Sequence, residues 1–170
     1  MTTFDLRQAK LRPGEEYRAE QEIALSPYDL GGQRYLPVPE HVTAELAITR
    51  GTSGTTFELR FPVRLHGPCY RCLRDAVLDL SVHAREYQAT SPGEADELRT
   101  PYVRDNQLLL SDWARDAIAG DLPEQILCRA DCAGLCPVCG KDLNLEPHEH
   151  EAEHGDPRWA VLAELRDKLE

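Results

Sequence analysis

The sequence predicts an α+β protein: an antiparallel β-sheet with a central helix, a cysteine-rich module and a C-terminal helix. Three observations carry this. Apolar residues alternate with polar ones in successive runs between residues 42 and 84, the period of half-buried strands. Apolar residues recur at helical spacing around 113–118 and again at 159–169. Four of the six cysteines crowd into residues 128–139, a concentration of soft ligands that packing does not require. The expected division is 1–126, a sheet-based part with one helix, and 127–170, the cysteine-rich module with the C-terminal helix packed on it, the two forming one folding unit.

The elements follow in order. Residues 1–40 carry weak signals: Tyr17 to Leu25 alternates loosely, as a strand would, and Pro27 to Pro39, with Gly31-Gly32, is expected to be a loop. Val42, Ala44, Leu46 and Ile48 mark a strand, and Arg50 to Gly54 a flexible turn. Phe57, Leu59, Phe61, Val63 and Leu65 then mark a second strand, which completes a hairpin. His66-Gly67-Pro68 is expected to break it, and Cys69-Tyr70-Arg71-Cys72 to form the next bend. Ala76, Leu78, Leu80, Val82 and Ala84 mark a third strand. Residues 89–101 look like an exposed loop. Ser111 or Asp112 is expected to cap a helix whose face holds Trp113, Ala114, Ala117 and Ile118 and which ends at Gly120. Residues 141–156, acidic and holding three histidines, are a tether or an ion-ordered loop. Asp156-Pro157 starts a terminal helix, with Trp159, Leu162, Leu165 and Leu169 in one stripe and Glu164 and Lys168 paired at i,i+4.

Composition bounds the function. At 170 residues, the chain can bury roughly 70% of its unfolded surface, so it does not need metal merely to have a core. Nineteen basic and 30 acidic residues give a net charge of −11, which favours solubility and does not suit generic nucleic-acid binding. Met1 to Leu6 lacks the apolar run of a signal peptide, and no segment approaches the ~20 apolar residues of a membrane span. A cytoplasmic location is expected, where thiols stay reduced and clustered cysteines serve as ligands rather than disulfides.

Cys69 and Cys72 form one C-x-x-C, and Cys136 and Cys139 another. Zinc suits them, because thiolates are soft and a closed four-coordinate site needs no redox change. One grouping makes two zinc sites: Cys69, Cys72, Cys128 and Cys132; and Cys136, Cys139, His148 and His150. A rival joins Cys69, Cys72, Cys136 and Cys139 around one ion, as a zinc ribbon does. Another uses the four clustered cysteines alone. Independently of the grouping, His148, His150 and His154 could be merely solvated members of an acidic loop. Catalysis is not expected: no H-E-x-x-H, G-x-S-x-G, Walker loop or G-x-G-x-x-G is present, and Cys69–Cys72 lies between antiparallel strands rather than in the βαβ setting of a thioredoxin-like site.

One stretch reverses the overall sign. Between residues 50 and 74 there are five arginines against one acid, Glu58. Arg60 and Arg64 share a strand face with His66, and Arg71 and Arg74 sit in and beside the first bend. This stripe could meet phosphates, or it is a solvated outer face.

Together these residues resemble a known family. They are Cys69-Tyr70-Arg71-Cys72 after a hairpin strand, then Leu-Cys-x3-Cys-x-Gly-Leu-Cys-Pro-x-Cys-Gly-Lys-Asp-Leu-Asn over 127–144, then Asp156-Pro157-Arg158-Trp159-Ala160 opening a terminal helix. The pattern is similar to the bacterial YceD-like family, the large ribosomal RNA subunit accumulation proteins, in order of motifs from about residue 40 to 170. The resemblance implies a small cytosolic α+β protein needed for normal 23S rRNA levels. Cysteine-rich members commonly carry C-x-C where this chain has His148-Glu149-His150, a change that keeps ligand chemistry at both positions. Other members lack C-P-x-C-G, so the second site is not essential to the shared activity. The expected function is a non-enzymatic ribosome-assembly factor with structural zinc, acting on a large-subunit precursor through rRNA or a ribosomal or assembly protein, with no membrane and no small-molecule substrate. The alternative is a zinc- or thiol-dependent regulator that binds protein only.

Overall fold

The computed structural model describes residues 1–91 and 98–150. In chain order these form β1 (Phe4–Asp5), a short 3-10 turn, β2 (Glu16–Ala24), β3 (Tyr28–Leu30), β4 (Gln33–Pro37), β5 (His41–Arg50), β6 (Gly54–Pro68), β7 (Asp75–Ala89), β8 (Val103–Arg104), β9 (Gln107–Leu108) and helix α1 (Leu110–Asp121). The chain divides into two compact units, the first Met1–Cys132 and the second beginning at Ala133. All the elements above belong to the first.

β6 is the spine of a six-stranded sheet in which every pairing is antiparallel. One edge of β6 pairs with β5 and, further along, with β4, and β7 runs along the other from Gly54↔Ala89 to Pro68↔Asp75. β2 extends the sheet beyond β5, and β3 beyond β4. The period-2 pattern explains the faces. Phe57, Leu59, Phe61, Val63 and Leu65 of β6 are buried on one face, in register with Leu46 and Ile48 of β5 and Val82 of β7. The opposite face carries Glu58, Arg60, Arg64 and His66. Helix α1 buries Leu110, Trp113, Ala114 and Ile118 and packs against β7 and β2. β1, β9 and β8 form a separate three-stranded sheet.

The structure departs from the sequence expectations in four places. Pro27 to Pro39 is not a loop. It holds the β3–β4 hairpin, with Gly31 and Gly32 both left-handed (φ +58° and +78°) as the two turn residues. His66-Gly67-Pro68 does not break β6, which runs through Pro68. A Cβ on Gly67 would strike the ring of Tyr35 and the Arg34 carbonyl, so the glycine lets an aromatic side chain of the neighbouring strand lie over the backbone. Tyr35 then donates its hydroxyl to the Pro68 carbonyl at 2.9 Å. The helix begins one residue before Ser111 and has no side-chain cap. The Ser111 hydroxyl is occupied instead: it donates to the Ala24 carbonyl at 3.0 Å and accepts from the Thr2 N–H at 2.8 Å. The helix also runs past Gly120 to Asp121, and it follows the sheet in the chain rather than lying at its centre. The expected terminal helix from Asp156 with its Trp159, Leu162, Leu165 and Leu169 stripe, His154, and part of the 89–101 loop lie outside the described residues.

Two substitutions test this arrangement. Leu59→Ala, at a fully buried position on the spine, is expected to cost about 2–5 kcal/mol. Gly67→Ala is expected to cost about 1–3 kcal/mol through overpacking against Tyr35. Urea unfolding at fixed metal loading measures both. A Gly67→Ala cost within the ~0.5 kcal/mol of ordinary surface changes would show that the close approach is not needed.

Candidate metal centres

The bend between β6 and β7 is built to present sulfur. The Cys69 N–H donates to the Arg74 carbonyl at 2.6 Å, and the Leu73 N–H donates back to the Cys69 carbonyl at 3.0 Å. Leu73 takes a left-handed conformation (φ +60°), which turns the chain under the two cysteines. After α1 the chain returns to this bend: the Tyr70 N–H donates to the Ile126 carbonyl at 2.8 Å, and the Arg71 Nη1 donates to the Cys132 carbonyl at 3.0 Å. Cys128 and Cys132 are thereby delivered to Cys69 and Cys72. The Cys69 and Cys132 sulfurs lie 3.8 Å apart and those of Cys72 and Cys128 3.6 Å apart, and all four fall within 4.8 Å of one another. Cys69, Cys72 and Cys132 are buried and Cys128 is exposed. A disulfide needs about 2.05 Å between sulfurs, and all six cysteines are free thiols.

The electrostatics suit a cation. Burial raises the Cys69 pKa, but backbone N–H groups of Cys72, Cys128 and Arg71 outweigh it and bring the thiol down to about 6. Cys72 is pushed up to about 12, by burial first and then by the sulfurs of Cys132, Cys69 and Cys128, against the Arg74 backbone. Four sulfurs this close cannot all ionise unless positive charge is placed among them.

The second unit repeats the same backbone device. The Cys136 N–H donates to the Lys141 carbonyl at 2.8 Å and the Gly140 N–H to the Cys136 carbonyl at 2.9 Å, matching Cys69, Arg74 and Leu73 position for position. Gly140 (φ +72°) takes the left-handed place that Leu73 takes in the first bend. Cys136, Cys139, His148 and His150 present ligand atoms within 4.8 Å of one another, with the Cys139 Sγ 3.1 Å from the His148 Nε2. His148 Nδ1 lies 2.7 Å from the Glu146 carbonyl. A carbonyl only accepts, so the proton sits on Nδ1 and Nε2 keeps a lone pair for an ion. The Glu146 carbonyl first, and then Cys136, raises the His148 pKa. Backbone N–H groups, that of Cys139 foremost, bring Cys136 down to about 6 against its burial. One supporting clasp was not assigned from sequence. Asn144 Oδ1 accepts from the Ala133 N–H at 2.8 Å, and the Asn144 N–H donates to Asp142 Oδ1 at 2.8 Å. The Lys141-Asp142-Leu143-Asn144 stretch thus closes the loop that carries the knuckle, and its Asp-x-Asn spacing was the available signal.

Each set could hold one metal ion, and each lies within a single unit. Among the described residues the ligands gather in these two sets, the first of the groupings open to the sequence. A family model described as large ribosomal RNA subunit accumulation protein YceD matches residues 57–166. The chain belongs to the YceD family. The match begins within β6 and takes in both ligand sets. Among curated proteins it is similar to an uncharacterized protein of Mycobacterium tuberculosis (strain ATCC 25618 / H37Rv), 38% identical over 103 residues, 58% of this chain and 49% of the relative. A Mycobacterium bovis protein, also uncharacterized, has the same figures. An uncharacterized Mycobacterium leprae protein is 34% identical over 102 residues, 57% of this chain and 46% of the relative. The chain thus spans about half the length of the curated relatives it matches. No solved structure gives a significant match.

The four arginines singled out in this YceD-family chain, Arg60, Arg64, Arg71 and Arg74, fall in two places. Arg60 and Arg64 stand on the outer face of β6, where each meets an acid: Arg60 Nη2 lies 3.1 Å from Glu58, and Arg64 makes a two-pronged pair with Asp79 on β7 at 2.7 and 3.2 Å. Glu58 is also approached by Arg85 Nε at 3.9 Å and by His83 Nε2 at 3.8 Å. Arg71 is committed to the Cys132 carbonyl and braces the first centre. Arg74 supplies the carbonyl that fixes the Cys69 N–H, and its side chain is exposed.

Gly140→Ala isolates the contribution of the second bend. Nothing lies within 4 Å of the added Cβ, so its cost is the left-handed backbone alone, about 1–2 kcal/mol. That predicts a metal affinity roughly tenfold lower at the second centre, read by competition with a chromophoric chelator, and unchanged affinity at the first.

Proposed function

We propose that the protein is a non-enzymatic ribosome-assembly factor that supports 23S rRNA accumulation and carries two structural zinc ions. The observation that carries the zinc assignment is sulfur spacing. A tetrahedral ion with bonds of about 2.3 Å to thiolate sets its ligands about 3.8 Å apart, and the first centre has pairs at 3.6 and 3.8 Å. Both sets supply four protein ligands, which leaves no open position of the kind catalytic zinc keeps. The role of the ions is to fasten: the first joins residues 128–132 to the bend at 69–72, and the second closes the 136–150 loop. The ribosomal assignment is supported by the YceD family's description.

The partner in this reading is a large-subunit precursor in the cytoplasm, through its RNA or a bound protein, with no membrane and no small-molecule substrate; no helix among the described residues is long and apolar enough to cross a membrane. Direct RNA contact would use Arg60, Arg64 and Arg74. The acid pairs of Arg60 and Arg64 are exposed and so worth only about 0–1 kcal/mol each, which lets phosphate replace carboxylate at a guanidinium fork. The second reading, a regulator that binds protein alone, is favoured by the net charge of −11.

Elemental analysis of untagged protein is expected to find close to two zinc ions per chain, as two ligand sets require, and one ion insensitive to His148→Ala with His150→Ala would contradict this. Arg60→Gln with Arg64→Gln avoids setting a new acid against Asp79. It is expected to leave folding and zinc content intact and to reduce cosedimentation with precursor particles, most visibly at moderate salt. Equal cosedimentation of variant and wild type at every salt concentration would favour the protein-only reading.

A further inference from the structure

The buried stripe of β5 runs Val42, Ala44, Leu46, Ile48, and its next inward position is Arg50. A charged side chain there is costly unless something neutralises it. Arg50 is half-buried, and its Nη1 donates to the hydroxyl of Thr55, directly opposite on β6, at 2.7 Å. Among the described residues neither Arg50 nor Lys10 meets a carboxylate. Both line one cleft of about 470 Å³ at this end of the sheet's inner face, within the range of small-ligand sites.

The rest of the lining is selective. Leu6, Leu11, Ile48, Phe57 and Val103 provide apolar walls, Thr55, Gln88 and Asn106 provide polar groups, and among the described residues no acid contributes. The cleft is braced. The Leu6 N–H donates to the Asn106 carbonyl at 2.9 Å, and the Arg50 backbone bonds with Gly14 and Glu15 at 2.7 and 3.0 Å. Lys10 is held left-handed (φ +42°), a conformation that non-glycine residues keep mainly where the surroundings demand it.

We infer that this cleft is a binding site for a phosphate monoester with an apolar or planar body, its dianionic end between Arg50 and Lys10. Two unneutralised cations match the charge of about −2 on such a phosphate, and the walls match a ring or short hydrocarbon. The ligand is held rather than converted in this proposal, since among the described residues the lining offers no nucleophile activated by a base and no carboxylate. The inference stands apart from the assembly-factor reading and survives its failure. It leaves two sources for one chemistry, a free metabolite or the phosphorylated end of an RNA.

The test is titration of the full zinc-loaded chain with phenyl phosphate and with phenol, followed by amide chemical shifts. Phenyl phosphate is expected to move the signals of Lys10, Leu11, Arg50, Thr55 and Asn106. Phenol, and phenyl phosphate with Arg50→Gln, are each expected to bind roughly tenfold more weakly, as loss of a charge-assisted contact implies. Lys10→Gln, at an exposed position, gives the same direction of change should Arg50→Gln disturb folding. A nucleoside 5′-monophosphate and a 5′-phosphorylated trinucleotide then separate the sources: whichever binds more tightly names the ligand, and either result supports the site. Equal affinity for phenol and phenyl phosphate, no shift at millimolar ligand, or full affinity in both variants would overturn it.

Discussion

Four sulfurs converge at the β6–β7 bend, and the course of the chain between them answers to that convergence. Cys69 and Cys132 are 63 residues apart in sequence, and Cys72 and Cys128 are 56 apart. Ordering that much intervening chain carries an entropy cost that grows slowly with length. A metal ion that binds only the assembled set adds its binding free energy to folding. The hairpin supplies a rigid platform because β6 and β7 pair over fifteen positions from Gly54 to Pro68. Helix α1, docked through Trp113 and Ile118, turns the chain back, and Ile126 hands its carbonyl to Tyr70 before the cysteines arrive. The second centre is local by comparison, its ligands lying between residues 136 and 150.

The recurrence of one backbone device at both knuckles connects sequence to chemistry. In each, the first cysteine's N–H is spent on the carbonyl five residues on, and the fourth residue after that cysteine is left-handed. That geometry aims the intervening N–H groups at sulfur and favours thiolate, as the lowered pKa values of Cys69 and Cys136 show. Glycine fills the left-handed position in one knuckle and leucine in the other. The Leu73 side chain is more than half exposed, so its burial does not offset the strain of that conformation.

Much of this was legible in the sequence, for reasons that differ by element. The long strands showed because one face is buried and the other wet, so polarity alternates. The ligand sets showed because C-x-x-C spacing is local, yet spacing alone left several groupings open; choosing among them needed the fold that brings 128–132 to 69–72. The β3–β4 hairpin was hidden because its prolines and glycines resemble loop composition, and β6 was cut short because Gly67 gives no sign that Tyr35 lies against it. The arginine stripe was read from near neighbours, whereas the acid facing Arg64 is fifteen residues away and adjacent only through register. Arg50 was expected in the turn after Ile48; the structure instead makes it the last residue of β5 and shows a cleft there.

The central claim is that two closed centres of different composition, one of four thiolates and one of two thiolates and two imidazoles, stabilise the chain. X-ray absorption at the zinc edge on fully loaded protein tests it most directly, because it counts ligand types whatever the protein's partner. The account predicts an average of about three sulfurs near 2.3 Å and about one nitrogen near 2.0 Å per zinc. In the variant lacking the second set through Cys136→Ser with Cys139→Ser, the average should move to about four sulfurs. A wild-type shell dominated by oxygen or nitrogen, or one that does not change in that variant, would contradict it.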